Sequence, residues 1–314
     1  MTVLERPVRD DALHWPLRSA ASAQRELVLE AGQRSLDLSN RAVVMGIVNR
    51  TPDSFYDQGR TFGLAAAVEH AMRLREEGAE ILDIGGIKGG PGPDVTVAEE
   101  IERVVPVIAA VRSADEDVLV SVDTFRAEVA RAAVAAGADM INDVTGLSDE
   151  GMIDVLVETG SAYVAMHHGG EPRTRPFRRR WEPSVTNVVR EHLERLSGRL
   201  VEAGVRRSSV IIDPGHDFQK TTFHSLELTR HLGTLAELGF PVMVALSNKD
   251  FIGETLGVTL DGRVTGSIAA AVVSVLLGAS IVRVHEVGPT VEALVMTEAI
   301  VGWREPRQAL RGLE

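Results

Sequence analysis

Residues 42–49 read AVVMGIVN, a run of seven residues without a polar side chain that ends at an asparagine. A short, β-branched run followed by helical periodicity is typical of a buried parallel strand in a βα unit. The same pattern recurs at residues 81–84, 118–122, 140–142, 162–166, 210–212, 242–245 and 281–284. Eight βα units predict an α/β fold, the TIM (β/α)8 barrel, in which the loops after the strands form the functional face.

The length of the chain leaves room for more than the barrel. Its 314 residues exceed the ~250 that are typical of this fold. We therefore expect a single barrel domain at 41–314 and an N-terminal extension at 1–40. The extension has no apolar segment of the kind found in secretory signals, and we expect it to be partly disordered. Residues 24–38 are expected to add a helix or a hairpin across the bottom of the barrel.

Composition excludes several classes of protein. The chain has no cysteine, which excludes disulfides and thiolate chemistry and agrees with a cytoplasmic location. Its longest largely apolar run, residues 268–277, contains one serine and is shorter than the ~20 residues of a membrane helix, so we expect no membrane association. A net charge of -12 disfavours nucleic acid as a partner. Only three of the 33 basic residues are lysines, and all follow strands, where a compact charge can be required: Lys88, Lys220 and Lys249.

Polar and glycine residues cluster just after the predicted strands. On a barrel these positions share one mouth, so they are candidates for binding and chemistry. Asp123 alone is about equally consistent with capping the helix that follows it. The histidines near these ends lack the HxxxH or HxH spacing of a transition-metal site. The candidate positions are Asn49, Asp57, Gly85–Gly92, Asp123, Asn142, His167, Asp213, Lys249, Arg283 and His285.

Seven motifs carry a resemblance to a known family. MGIVNRTPDSFYDQG at 45–59 resembles the first loop of dihydropteroate synthase, where a pattern like NVTPDSFSDGG occurs. The other six follow in the family's order: DIGG at 83–86, SVDT at 121–124, IND at 141–143, DPG at 213–215 with Phe218 and Lys220 after it, SNKDF at 247–251 and RVHEV at 283–287. Because every motif follows a strand, the chain is identified as a member of the dihydropteroate synthase family.

The resemblance implies a pterin site at the barrel mouth. The edge of a pterin ring alternates donors and acceptors, which carboxylate and amide groups can match. Asp123, Asn142 and Asp213 would bind that edge. Met166 and Phe218 would form apolar walls, and Lys249 would lie against the ring.

The resemblance also implies a diphosphate site. Arg283 and His285 are two apart on a strand and point the same way, and a guanidinium beside an imidazole suits a diphosphate. Asn49 and a Mg²⁺ ion would complete this site, and Lys249, Arg283 and His285 would be the catalytic residues. In the family's reaction the amine of 4-aminobenzoate displaces the diphosphate from a dihydropterin, so the enzyme mainly orients and neutralises its reactants. Sulfonamide-like mimics would occupy the 4-aminobenzoate position.

Four departures from the family pattern fall at positions that approach the substrates in the family. Where the family has a pattern like ESTRPG, residues 87–92 read IKGGPG, so Gly89 and Gly90 replace a threonine and an arginine. Asp217 replaces a glycine, and Asp250 replaces a serine. We expect both carboxylates to add negative charge at the mouth, where a like-charge pair at ~4 Å costs about 4 kcal/mol at an effective dielectric of ~20.

These departures favour a divergent paralogue that keeps the pterin pocket and has very weak or no synthase activity. One alternative is a working synthase in which Lys88, Arg50 or the arginine-rich loop at 173–181 compensates. Another is a non-catalytic regulatory protein that binds a pterin-like ligand or a partner. A pterin-dependent methyltransferase on a related barrel would not need Arg283 and His285. We also expect a homodimer packed through the last helices, because residues 267–277 are apolar or small almost all round.

Overall fold

The computed structural model describes residues 26–50, 63–87, 92–170 and 180–308. An antiparallel hairpin, β1 (Val28–Ala31) and β2 (Arg34–Asp37), precedes the eight parallel strands of a barrel. These strands are β3 (Val43–Asn49), β4 (Ile81–Gly85), β5 (Leu119–Asp123), β6 (Met140–Asp143), β7 (Ala162–Met166), β8 (Val210–Asp213), β9 (Met243–Val244) and β10 (Ile281–Val284).

The strands follow one another around the barrel in the order β8-β7-β6-β5-β4-β3-β10-β9. The remaining gap between β8 and β9 is bridged by the pairing of Ile212 with Val242, and the Ile212 amide donates to the carbonyl of Pro241 over 2.9 Å. The sheet is therefore closed. The predicted TIM barrel is confirmed.

Helices follow the barrel strands along the chain and cover the sheet. The helices are α1 (Leu64–Glu76), α2 (Val97–Ala114), α3 (Ala127–Ala135), α4 (Gly151–Thr159), α5 (Val185–Glu202), α6 (Thr222–Arg230), α7 (Leu232–Ala236), α8 (Asp250–Leu256), α9 (Val264–Leu276) and α10 (Val287–Ile300). Among the described residues, none of these helices has the length and apolar character needed to cross a membrane.

The strands alternate between two apolar layers, as a pleated sheet requires. In β3, Val43 and Met45 pack inside the barrel, whereas Val44 and Val48 pack between the sheet and the helices. Bulky apolar side chains from the other strands fill the lower half of the interior, so the barrel is a packed core and not a pore.

The hairpin closes the bottom of the barrel. Leu27, Leu29, Ala31 and Leu38 are buried in the same apolar cluster as the inward side chains of the barrel strands. A hairpin is one of the two forms expected for this segment. Residues 1–25 lie outside the described residues, so the partial disorder expected for the extension stays a prediction.

A buried carboxylate ties this lower end together. Asp139 accepts from Arg34 Nη1 at 2.6 Å, from Arg112 Nη2 at 2.5 Å and from the Val120 amide at 2.9 Å. Asp139 is 5% exposed, and Arg34 belongs to the hairpin, so one carboxylate joins the hairpin, α2 and β5. Breaking a buried ion pair on one side leaves uncompensated charge.

We predict that Asp139→Ala lowers the free energy of unfolding by about 3–5 kcal/mol, because it leaves two guanidinium groups without their shared partner. Urea denaturation measures this change. The matched control is Asp117→Ala, an exposed carboxylate at the same end of the barrel, which should change stability by less than about 0.5 kcal/mol. Equal effects of the two substitutions would contradict a stabilising role for the Asp139 ion pairs.

Candidate functional site

The register of the strands brings the predicted polar residues to one level at the barrel mouth. Asp123 pairs with Gly85 on one side and with Asn142 on the other. On the neighbouring strands, Met166 pairs with Asp213. These residues are the last or next-to-last of their strands, so their side chains lie where a ligand can enter from the mouth.

Arg283 lies at the centre of this level. Its Nε donates to Asp83 Oδ2 at 2.6 Å, and its Nη2 donates to Asp123 Oδ2 at 2.8 Å. Asp83 is fully buried and also accepts from Ser121 Oγ at 2.6 Å and from Asn142 Nδ2 at 3.0 Å. The five side chains form one connected network, in which a buried charge is matched by charge-assisted hydrogen bonds.

The electrostatics of the network make Asp123 easy to protonate. Burial raises the pKa of Asp123 to about 7, with the neighbouring Asp83 carboxylate adding to the rise and Arg283 opposing it. A carboxyl with such a pKa can both donate and accept hydrogen bonds near neutral pH. This ability suits a ligand edge that alternates donors and acceptors.

Asp213 and Lys249 form the opposite side of the mouth. Asp213 Oδ1 accepts from the Gly215 amide at 2.7 Å. Burial raises the pKa of Asp213, and the positive charge of Lys249 opposes this rise. Burial likewise lowers the pKa of Lys249, with the Asp213 charge acting against it. Asp213 thus offers a ligand a hydrogen-bond acceptor, and Lys249 offers it a donor of opposite charge.

Phe218 provides an aromatic wall beside these groups. Lys249 Nζ lies 4.8 Å from the centre of the Phe218 ring, within range of a cation–π contact. The same Nζ donates to the carbonyl of His216 at 2.5 Å. The His168 ring lies 5.4 Å from the Phe218 ring, and Met166 is buried at the end of its strand.

His285 and Asn49 lie at the ends of neighbouring segments of the mouth. The Nδ1 atom of His285 lies 3.0 Å from Ser247 Oγ, which also accepts from the His285 amide. Asn49 ends β3, and its Oδ1 would lie 3.8 Å from a Cβ placed on Gly85, while Asp123 Cβ would lie at 3.4 Å. The carboxamide of Asn49 therefore lies close to the Asp123 side of the network.

The two acidic departures already have partners in the protein. Asp217 accepts from Ser225 Oγ at 3.1 Å and from the Phe251 amide at 3.3 Å, so its carboxylate links α6 to α8. Asp250 is exposed and pairs with Arg263 Nη1 at 2.9 Å. The repulsion expected at the mouth is therefore reduced at Asp250 by a neighbouring guanidinium.

Several predicted positions fall outside the described residues. These are Asp57, residues 88–91, which include Lys88, Gly89 and Gly90, and residues 173–179 of the arginine-rich loop. Their roles stay predictions from the sequence.

The histidines of this region are packed in the protein interior. Burial lowers the pKa of His167 to about 2, and its ring lies 5.4 Å from that of Trp181. Burial also lowers the pKa of His216, whose ring stacks on Phe251. In the parts of the chain that the structure describes, no group of three His, Cys, Asp or Glu residues could hold a metal ion.

Two members of the network were not singled out as site residues from the sequence. Asp83 was noted only as part of the DIGG motif at 83–86, and Ser121 only as part of the SVDT motif at 121–124. The available signal was a charged residue at an inward position of a fully buried strand, since a buried aspartate requires partners.

Comparisons with known proteins agree with this geometry. The model of the family described as "Pterin binding enzyme" matches residues 45–285. The "Inactive dihydropteroate synthase 2" of Mycobacterium leprae is 50% identical over 279 residues, covering 88% of this chain and 96% of that protein. The "Dihydropteroate synthase" of Escherichia coli K12 is 38% identical over 275 residues, covering 87% and 96%.

Solved structures give the same result. The Xanthomonas albilineans dihydropteroate synthase with 4-aminobenzoic acid has a TM-score of 0.81 and 42% identity, covering 88% of this chain and 99% of that one. The Yersinia pestis enzyme in a sulfonamide drug complex has a TM-score of 0.83 and 37% identity, covering 88% and 100%. The fold and site are thus those of a pterin-binding barrel. Within that class, the chain belongs to the dihydropteroate synthase family as a divergent paralogue.

We predict that the effect of Asp123→Asn on stability depends on pH. The carboxyl has a pKa of about 7 in the folded protein and about 3.9 in the unfolded chain, so its contribution to stability is lost as pH rises between these values. Asparagine does not titrate. The free energy of unfolding of the variant, relative to that of the original protein, should therefore increase from pH 5 to pH 8 in urea denaturation.

A carboxylate with the opposite shift is the control. A hydrogen bond from Arg75 lowers the pKa of Asp115 in the folded protein, so that group loses its stabilising effect only as pH falls below the unfolded value of about 3.9. The corresponding difference for Asp115→Asn should be constant from pH 5 to pH 8. A flat profile for Asp123→Asn as well would contradict the raised pKa.

Proposed function

We propose that this protein binds a pterin in the barrel mouth and has very little or no dihydropteroate synthase activity. The observation that carries the proposal is the contrast between two parts of the mouth. The pterin side consists of Asp123, Asn142, Asp213 and Lys249, all within interacting distance of other buried polar groups. The side for the second substrate and the diphosphate differs from the family pattern at Gly89, Gly90 and Asp250.

The pterin side is prepared for its ligand. Asp213 and Asp123 can accept from ring nitrogens and the amino group, and Lys249 can donate to the ring oxygen. Phe218 and Met166 supply apolar surface, which is usual for a small-molecule site. Because these groups are fixed by other contacts, little order has to be gained on binding.

The side for the second substrate is poor in anchors. In the family pattern a threonine and an arginine occupy the positions of Gly89 and Gly90. Loss of one charge-assisted hydrogen bond costs ~1.5–3 kcal/mol, or one to two decades of affinity. At Asp250 the carboxylate would repel the carboxylate of 4-aminobenzoate, and its pairing with Arg263 occupies a cation that could otherwise attract this substrate.

Compensation by Arg50 is not favoured by its contacts. Its Nη1 donates to the carbonyls of Glu102 at 2.9 Å and Arg103 at 2.6 Å, both in α2. Burial lowers the pKa of Arg50, and the charge of Arg103 adds to this effect. A guanidinium held against α2 is poorly placed to replace the missing loop arginine.

The residues present fit a Mg²⁺ ion only together with a diphosphate. Mg²⁺ prefers oxygen ligands and commonly binds through one or two protein groups, with substrate phosphates and water completing its shell. Asn49 would supply the protein oxygen, and Arg283 and His285 would neutralise and orient the diphosphate. The ion would stabilise the departing diphosphate charge when bound.

Calorimetric titration tests the proposal. We predict that the protein binds 6-hydroxymethyl-7,8-dihydropterin without the diphosphate, and that adding the diphosphate and Mg²⁺ increases affinity far less than in a synthase. Formation of dihydropteroate from labelled 4-aminobenzoate should be far slower than ~1 s⁻¹. Turnover at that rate would favour the working-synthase alternative. Absence of any pterin binding would contradict the proposal and favour a regulatory protein with another ligand.

A variant with restored loop residues provides the complementary test. Gly89→Thr, Gly90→Arg and Asp250→Ser together should increase affinity for the dihydropterin diphosphate beyond the sum of the single substitutions, because residues that share one site are coupled. Asp217→Gly is tested separately. It relieves a left-handed backbone at φ 64° but removes hydrogen bonds to Ser225 and α8. No gain in the combined variant would contradict the assignment of the altered loops.

We further propose a homodimer in the cytoplasm, packed through the last two helices. Met296 and Ile300 of α10 are 60% and 71% exposed, next to the apolar helix α9. Met296→Glu with Ile300→Glu should convert the dimer to a monomer in light scattering at micromolar concentration. The control is Val157→Glu on α4, which is 48% exposed and should leave the dimer intact. A monomeric original protein would refute the dimer.

A further inference from the structure

Lys220 is a buried lysine to which the pterin site assigns no role. It is the next-to-last residue of the loop of residues 214–221 that connects β8 to α6, and it is 7% exposed. Its Nζ donates to three backbone carbonyls, those of His167 at 3.0 Å, Gly215 at 2.8 Å and Phe218 at 2.9 Å. An ammonium group has three N–H donors, so these bonds use all of them.

The loop that Lys220 closes has an unusual backbone. Gly215, Asp217 and Gln219 have φ values of 67°, 64° and 56°. For residues other than glycine, this left-handed conformation costs about 1–2 kcal/mol each and persists only where the surroundings maintain it. A Cβ on Gly215 would lie 2.2 Å from the carbonyl oxygen of His167. The loops after β7 and β8 therefore touch at the point where the ammonium joins them.

We propose that Lys220 is a positioning residue for the ligand site. Its ammonium clamps the loop after β8 to the loop after β7 and thereby holds Phe218 against the ligand position. The carbonyl of Phe218 is itself one of the three acceptors, so the clamp acts directly on the residue that forms the aromatic wall. This inference rests on the proposed function, because Phe218 has a wall to provide only if a ligand binds there.

The identity of the residue follows from the geometry of the acceptors. Three carbonyls that converge on one point suit a compact ammonium, whereas a guanidinium presents its donors in a planar fork. Arg112 at the bottom of the barrel spreads its donors over three nitrogens: Nη1 donates to the carbonyls of Asp115, Glu116 and Val118, and Nε and Nη2 donate to the carbonyl of Gly137 at 3.3 and 3.2 Å. This chain uses arginine at 30 of its 33 basic positions but has lysine at 220, where all three acceptors surround a single nitrogen.

The absence of cysteine from this chain makes a direct test possible. In Lys220→Cys, the unfolded chain can be alkylated at this position alone and then refolded. Bromoethylamine restores an ammonium on a side chain of nearly lysine length, whereas iodoacetamide adds a neutral group. Two measurements follow: hydrogen exchange of the segments around residues 166–170 and 213–220, and calorimetric affinity for 6-hydroxymethyl-7,8-dihydropterin.

We expect faster exchange in both segments, and at least about tenfold weaker binding, for the free cysteine and for the neutral adduct. The ammonium adduct should return both measurements to within about threefold of the original protein. The control is Arg112→Met, which removes a partly buried cation from the other end of the barrel. It should lower stability without changing ligand affinity or the exchange of these two segments.

Each outcome decides between the two proposals. If the neutral adduct binds and exchanges as the original protein does, or if the ammonium adduct restores neither measurement, Lys220 is not a positioning residue. If the original protein does not bind 6-hydroxymethyl-7,8-dihydropterin, pterin binding is refuted, and exchange alone decides on the clamp. In that case the clamp is supported if the ammonium adduct restores the slow hydrogen exchange of the two segments. It is refuted if the neutral adduct exchanges as slowly as the original protein.

Discussion

The structure depends on the placement of Arg283 between Asp83 and Asp123 inside a closed barrel. Charges removed from water are costly unless they are paired and their remaining hydrogen-bonding capacity is used. Here Ser121 and Asn142 complete the shell of Asp83. This requirement links β4, β5, β6 and β10 at one level above the apolar interior. The same linkage leaves Asp123 partly accessible, with its pKa raised by burial, so the network supports the fold and also provides the ligand-binding surface.

The loops at the mouth depend on a different kind of contact, in which lysines bind backbone carbonyls. Lys249 reaches the carbonyl of His216, and Lys220 reaches three carbonyls in the loops after β7 and β8. A loop with several left-handed residues cannot satisfy its carbonyls by a regular ladder, and a buried carbonyl without a partner is costly. The lysines supply these donors from within the site, which makes the shape of the mouth depend on two ammonium groups.

The sequence is sufficient to predict the barrel because hydrophobic runs and their spacing encode it directly. Prediction is less exact where contacts between distant parts of the chain determine the bounds of a strand or the partners of a side chain. The run at 242–245 forms only Met243–Val244 as a strand, while Val242 bridges to β8. Asp217 and Asp250 were expected to act as charges at the mouth, yet the side chains that pair with them, Ser225 in α6 and Arg263 just before α9, lie outside the motifs. The partners of Lys220 are carbonyls whose direction depends on backbone angles that no motif specifies.

These contacts give a physical reason why divergence from the family pattern falls on the loops. Changing Arg283 would leave the fully buried Asp83 carboxylate without its cation, at about 3–5 kcal/mol, a large part of the stability of a typical domain. Asp250 is exposed, and substitutions at exposed positions usually change stability by less than about 0.5 kcal/mol. A chain that is no longer selected for catalysis can therefore change the substrate-binding residues of its loops at little cost in stability. It must keep the buried hydrogen-bond network around Arg283. On this argument, an intact pterin pocket alone is weak evidence for synthase activity, because fold stability preserves the same residues.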